Sequence, residues 1–241
     1  MRCYRMSSHW LTRPTEDSAA FAAELAARGV PCLIAPVMEI EPVAVQMPAD
    51  LIPPQALLLT SRHAAQALAA LPATWRDLPT YCVGEATARA AHAQGFTQTI
   101  AGAEDVLALL PRLVERHPAG TPLLYLAGEE TRVDVVTLLA SAGITVTQTI
   151  AYRAEAVPQP NPALGAALRD GTLSSVSFFS PRSATLAIDL LTRAGLAAEA
   201  TALTAYCLSL AVASAAAPIA WKRIISCPTP TRQAMLTLIQ S

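Results

Sequence analysis

Short aliphatic runs in this chain end in hydroxyl-bearing residues or glycine just where an alanine-rich helical pattern begins. The run LLLTSRHAA brings Thr60, Ser61 and Arg62 to such a junction, and YCVGEATA brings Gly84, Glu85, Ala86 and Thr87. FFSPRSA adds Ser180 and Pro181, and YCLSLAVA adds Ser209. Residues of these types leave backbone N–H groups open at a helix start, where the helix dipole favours anions. The chemistry implied is the holding of a ligand that carries several carboxylates or phosphates. Each serine or threonine alone is equally an N-cap, and taken singly capping is the stronger reading.

Other candidates stand alone. Tyr152, in IAYRAE, could donate a proton or a hydrogen bond from its phenol, or pack as an aromatic. Arg13, behind the first strand, could pair with an anionic ligand or cap a neighbouring helix end. Gly102, Ala103, Gly128 and Thr229 follow further aliphatic runs. His63 sits at a helix start and reads more readily as an exposed bystander than as a general acid; the remaining histidines are dispersed. Five scattered cysteines without a Cys-x-x-Cys support neither a disulfide framework nor a zinc site. The chain has no Walker A sequence, no spaced glycines of a dinucleotide fingerprint and no Gly-x-Ser-x-Gly elbow, so no cofactor and no metal are expected.

The elements that must position these residues alternate along the chain. Candidate strands are His9–Leu11, Cys32–Pro36, Ala56–Leu59, Thr80–Val83, Thr97–Ile100, Leu123–Leu126, Thr145–Ala151, Val176–Phe179, Ala202–Leu208 and Arg223–Ser226. Helical patterns such as Ala19–Arg28, Ala86–Gln94, Val106–Glu115 and Val133–Ala142 lie between them, which predicts an α/β fold with parallel sheets.

An internal repeat orders these units. LLLTSRHAAQALAAL pairs with VSFFSPRSATLAIDLL, YCVGEATARAAHAQG with YCLSLAVASAAAPIA, and IAGAEDVLALLPRL with ISCPTPTRQAMLTLI. Gly84 and Gly102 are 18 positions apart, as are Ser209 and Cys227. A fourth unit, YLAGEETRVDVVTLLASAG, matches the N-terminal HWLTRPTEDSAAFAAELAARG. The N-terminal strand and helix therefore belong with the C-terminal half. The expected lobes are residues 1–37 plus 158–241, and an inserted 46–149, joined by a two-stranded connector at 38–45 and 150–157.

Charge and hydropathy limit the partners. Among 241 residues the formal charge is −1, which implies no nucleic-acid surface. The charged N-terminus has no apolar run behind it and reads as no secretory signal, so a cytoplasmic, monomeric protein without a membrane partner is expected. The uncharged stretch from Ala200 to Trp221 is long enough to span a bilayer but reads better as a strand followed by a helix.

Taken in order, LLLTSRHAA, YCVGEATA, GAEDVLALL, YLAGEETR, AGITV, IAYRAE, FFSPRSA and CPTPTRQAM resemble the uroporphyrinogen-III synthase family over essentially the whole chain. The resemblance implies two flavodoxin-like lobes joined by a β-ladder, and a cofactor-free lyase of tetrapyrrole (heme) biosynthesis. It would cyclise linear hydroxymethylbilane to uroporphyrinogen III with inversion of ring D and loss of water. By resemblance, Tyr152 matches the tyrosine that assists departure of the substrate hydroxyl, and Thr87 matches a threonine of the substrate cleft. A substrate with many carboxylates suits backbone amides at many helix starts, and the pathway leaves room for a transient contact with the preceding enzyme. The second lobe departs from the family pattern at Ser209 and Val212. That departure keeps open a catalytically degenerate synthase-like protein or a two-lobe binding domain for a polyanionic small molecule.

Overall fold

The computed structural model describes residues 7–102, 106–131 and 133–240. Along the chain come β1 (Ser8–Leu11), α1 (Thr15–Ala26), β2 (Cys32–Ile34), β3 (Met38–Pro42), β4 (Ala56–Leu59), β5 (Thr80–Cys82), α2 (Gly84–Ala93), β6 (Thr99–Ala101), α3 (Leu110–Arg116) and β7 (Pro122–Gly128). They are followed by α4 (Val135–Ser141), β8 (Thr145–Ala156), α5 (Pro162–Arg169), β9 (Leu173–Phe178), α6 (Pro181–Arg193), α7 (Ala197–Ala200), β10 (Thr204–Cys207), α8 (Leu210–Ala216), β11 (Arg223–Ser226) and α9 (Arg232–Gln240). The chain divides into two compact units, one running to Glu39 and resuming at Glu155, the other formed by Ile40–Ala154.

In the discontinuous unit the strand order is β11-β10-β9-β1-β2, and each pairing is parallel. Counted from β1, this is the doubly wound order 2-1-3-4-5, with its switch point between β1 and β9. Register decides the two faces. Trp10 lies beside Val176, itself beside Ala205, on one face; Leu11 lies beside Ser177, itself beside Tyr206, on the other. The second face packs Leu11 against Phe21 and Leu25 of α1 and Met235, Leu236 and Ile239 of α9.

The inserted unit repeats the arrangement, with β8-β7-β4-β5-β6 parallel throughout and β3 added beyond β8. Its switch point lies between β7 and β4. Both faces are covered, as parallel sheets require. Leu57, Leu59, Leu124 and Leu126 pack under Ala64, Ala65 and Leu68 and under α2. Ala56, Leu58, Leu123 and Tyr125 pack against Leu109, Leu113 and Leu139 on the opposite face. Val43 N–H donates to the Ala151 carbonyl and Val157 N–H to that of Val37, so β3 runs antiparallel to the far half of β8.

Several element ends differ from the sequence expectation. α1 starts at Thr15 because Pro14 takes the N-cap position and Glu16 and Asp17 complete an acidic first turn. α3 starts at Leu110, later than Val106, since Pro111 is accommodated only in a first turn. Arg62–Ala70 is a 3₁₀-helix that buries Ala64, Ala65, Ala67 and Leu68. β8 runs to Ala156 through its second pairing with β3. The stretch from Ala200 to Trp221 forms β10 and α8, and no helix among the described residues is long and apolar enough to cross a membrane.

Candidate functional site

Parallel strands end together, so the residues following them collect at the carboxyl edge of each sheet. In the inserted unit that edge carries Thr60, Ser61, Arg62, Gly84, Glu85, Ala86, Gly102, Gly128 and Tyr152. In the discontinuous unit it carries Arg13, Ser180, Pro181, Ser209 and Thr229. Ala103 lies outside the described residues.

Tyr152 owes its placement to a β-bulge. Ala127 pairs with Ile150, but the next residue, Gly128, pairs with Tyr152, so Ala151 and Tyr152 together oppose one residue of β7. A bulge re-aims the side chain that follows it. Ala151 and Tyr152 accordingly pack on the same face of the sheet, the one formed by Leu57, Leu59, Leu124 and Leu126. The Tyr152 carbonyl then accepts a hydrogen bond from Glu129 N–H at 2.9 Å, which fixes the end of β7. The His63 ring lies 5.7 Å from the Tyr152 ring, centroid to centroid, tilted by 56°.

A second phenol stands nearby on the opposite face. Tyr125 is 1% exposed, and its hydroxyl lies 2.9 Å from Thr60 Oγ1 across the switch point. Burial pushes the Tyr125 phenol up; the Thr60 hydrogen bond opposes this, and the Tyr152 phenol adds to it. Either hydroxyl of this pair can donate to the other. Sequence reasoning missed Tyr125, although a tyrosine inside the otherwise aliphatic LLYLA was a visible signal.

The helix-start residues divide into caps and bare amides. Ser61 Oγ accepts from His63 N–H at 3.3 Å, and Ser209 Oγ accepts from Val212 N–H at 3.4 Å. Ser180 and Ser183 form a reciprocal capping box, with Pro181 at the first position of α6. A capping hydroxyl satisfies one of the four open N–H groups of a first turn. α2 differs, because its N-cap is Val83 and no side chain caps it. Gly84 there has φ +75°, which a side chain would strain, and Glu85 and Ala86 are exposed in the first turn. Thr87, 4% exposed, packs on the inner side of α2, as Val212, 2% exposed, does on α8. Val212 thus holds on α8 the buried position that Thr87 holds on α2, without a hydroxyl.

The remaining candidates have local partners. The Arg13 guanidinium is 2.8 Å from Asp17 and lies over the Phe179 ring at 5.1 Å. Thr12 Oγ1 donates to the Ser177 carbonyl at the switch point between β1 and β9. Gly102 N–H donates to the Cys82 carbonyl, and a Cβ at 102 would collide with the Leu109 side chain. Thr229 is exposed and lines a cavity of about 380 Å³ with Thr231, Gln233 and Ala234. Among the described residues no group of three or more His, Cys, Asp or Glu could hold a metal ion.

Comparison with known proteins bears on this arrangement. The family model of uroporphyrinogen-III synthase HemD matches residues 19–237. The uroporphyrinogen-III synthase of Synechococcus elongatus is 31% identical over 185 residues, covering 71% of this chain and 70% of that protein. The crystal structure of uroporphyrinogen-III synthetase from Helicobacter pylori shares the fold, with a TM-score of 0.60 at 18% identity, covering 97% of this chain and 98% of that one. With most of its length matched, the chain belongs to the uroporphyrinogen-III synthase family.

Proposed function

We propose that this protein is a hydro-lyase that closes linear hydroxymethylbilane to uroporphyrinogen III, inverting ring D and releasing water. The observation that carries the reading is the Tyr152 phenol, set by a bulge at the carboxyl edge of β7 in a chain of this family. In this reading the Tyr152 hydroxyl protonates the departing hydroxyl, which leaves as water and gives an azafulvenium cation beside the phenolate. The pyrroles of the substrate supply the electrons for attack, spiro closure, fragmentation and reclosure. The carbon at the newly closed bond then loses a proton, which restores the phenol and balances the step. Positioning, and the donation and recovery of one proton, are all that the protein need provide.

The exposed, uncapped first turn of α2, with Gly84, Glu85 and Ala86, is proposed to take a substrate carboxylate on its N–H groups. Arg13, Thr60, Ser61, Arg62, Ser180, Ser209 and Thr229 are proposed as contacts at the same carboxyl edges. Thr87, being buried, is proposed to support the α2 turn. The reading also places the protein in the cytoplasm and makes its substrate a small soluble tetrapyrrole.

The test is product analysis with freshly generated hydroxymethylbilane, in which oxidised products are separated into type I and type III isomers. Spontaneous closure gives type I, so an excess of type III supports the reading. Only type I from folded protein would overturn it. Tyr152→Phe is expected to lower type III formation by at least about a hundredfold, the lower end of what a positioned acid supplies.

A further inference from the structure

Gly128 follows a strand, as a ligand-contacting glycine would, yet its surroundings show another use. It is buried, and its backbone is not in the left-handed region, so the conformation itself does not call for glycine. A Cβ built on it would meet Tyr152, at 2.7 Å from Cζ, 2.8 Å from the hydroxyl oxygen and 3.0 Å from Cε2. Every one of these contacts is tighter than real Cβ atoms accept or sits at that limit. The requirement is therefore space, and what fills the space is the reactive end of the tyrosine. The bulge supplies the complementary half, since it makes Gly128 the residue opposite Tyr152.

We infer that Gly128 is a positioning residue: its bare Cα is the seat on which the Tyr152 phenol rests at the height where the hydroxyl of the substrate must leave. This rests on the reading of Tyr152 given under the proposed function. A Cβ at 128 would have to push the phenol off its seat by roughly 0.7 Å to reach ordinary van der Waals contact. Catalysis tolerates displacements of that size poorly.

The experiment uses the full chain with [¹³Cζ]tyrosine, the Tyr152 resonance being assigned by its loss in Tyr152→Phe. Gly128→Ala should move that resonance and lower kcat for type III formation to within about threefold of the Tyr152→Phe rate, with KM changed less than about twofold. On the Tyr152→Phe background the same substitution should cost no further rate. An unmoved resonance overturns the inference, as does a full second loss of rate on the Tyr152→Phe background. A moved resonance with Tyr152→Phe fully active keeps the seat and removes the chemical role of the tyrosine, so the two readings fail separately. If Gly128→Ala is too unstable for kinetics, Tyr152→Ala in the same chain should restore its melting temperature, because the colliding ring is gone. An equal loss of stability on both backgrounds would overturn the seat.

Discussion

The hydroxyl of Tyr125 and Oγ1 of Thr60 lie 2.9 Å apart and bridge β7 to β4 at the point where the strand order reverses. Tyr125 packs in the same buried cluster as Leu58, Ala127 and Val135. Removing the hydroxyl by Tyr125→Phe leaves Thr60 without that partner but changes little volume. We expect a loss of about 1 kcal/mol, read as a fall of roughly 2–4 °C in melting temperature. Steady-state kinetics should show a raised KM with kcat nearly kept, since the bond orients the Thr60 rim and does not enter the proton transfer. A kcat loss as large as that of Tyr152→Phe would contradict this division.

Ser180 separates capping from ligand contact. Its side chain accepts from Ser183 N–H at 3.1 Å, and its own N–H donates to Ser183 Oγ at 3.2 Å. Ser180→Ala removes the reciprocal cap of a 13-residue helix, at about 1 kcal/mol in thermal or urea unfolding. A substrate contact in addition would raise KM. Ser180→Asp, which keeps a capping acceptor but adds charge, should retain stability and weaken binding of a polycarboxylate.

His9 makes stability depend on pH. It is 1% exposed, its Nδ1 lies 2.8 Å from Ser175 Oγ, and its Nε2 has no partner. Burial lowers its pKa from 6.5 to about 3. The unfolded chain therefore takes up the proton first as pH falls. The stability tied to the neutral ring is whole above about pH 6.5 and drains away towards pH 3. Linkage sets the loss on the order of 2–3 kcal/mol by pH 4.5. Urea unfolding at pH 7, 5.5 and 4.5 should show this slope in the natural chain and a flatter one in His9→Gln. Parallel slopes would sink the assignment.

The described thiols should be inert. Cys82 and Cys207 are fully buried and pushed up to about 12, Cys32 to about 11, and Cys227 is also raised, in each case chiefly by burial. Reaction needs the thiolate. A disulfide reagent at pH 7 should therefore leave these four unmodified over minutes in the native protein and titrate all of them in denaturant. Rapid labelling of Cys82 or Cys207, located by peptide mapping, would contradict the packing.

Much of the architecture was legible because a parallel sheet covered on both faces writes its strands as short aliphatic runs. Ala56–Leu59 and Arg223–Ser226 begin and end where the runs do. The site was less legible. LLYLAG shows that β7 is buried but not which face each residue takes, so Tyr125 did not stand out. IAYRAE contains nothing that marks a bulge, because the slip at Ala127 and Gly128 is a matter of register between two strands distant in sequence. Without it Gly128 looked like a ligand glycine, while its neighbour in space is Tyr152. Ser61, Ser180 and Ser209 could be placed at helix starts, but only coordinates show their hydroxyls turned to their own helices.

The pairing of β1 with β9 ties Ser8 to Thr172 across 164 residues. During synthesis β1, α1 and β2 leave the ribosome long before the strand that belongs beside them exists. Strands β4 to β8 of the inserted unit, in contrast, find all their parallel partners between Ala56 and Ala156. The inserted unit can thus close while its host is still open, and the N-terminal segment, with the apolar faces of Trp10, Phe21 and Leu25, must wait for β9 with only the β1–β2 pair of its own. Arrested nascent chains just long enough to bring Ala156 out of the ribosomal tunnel should already protect β4 and β7 from proteolysis, with the cleavable sites confined to the first forty residues.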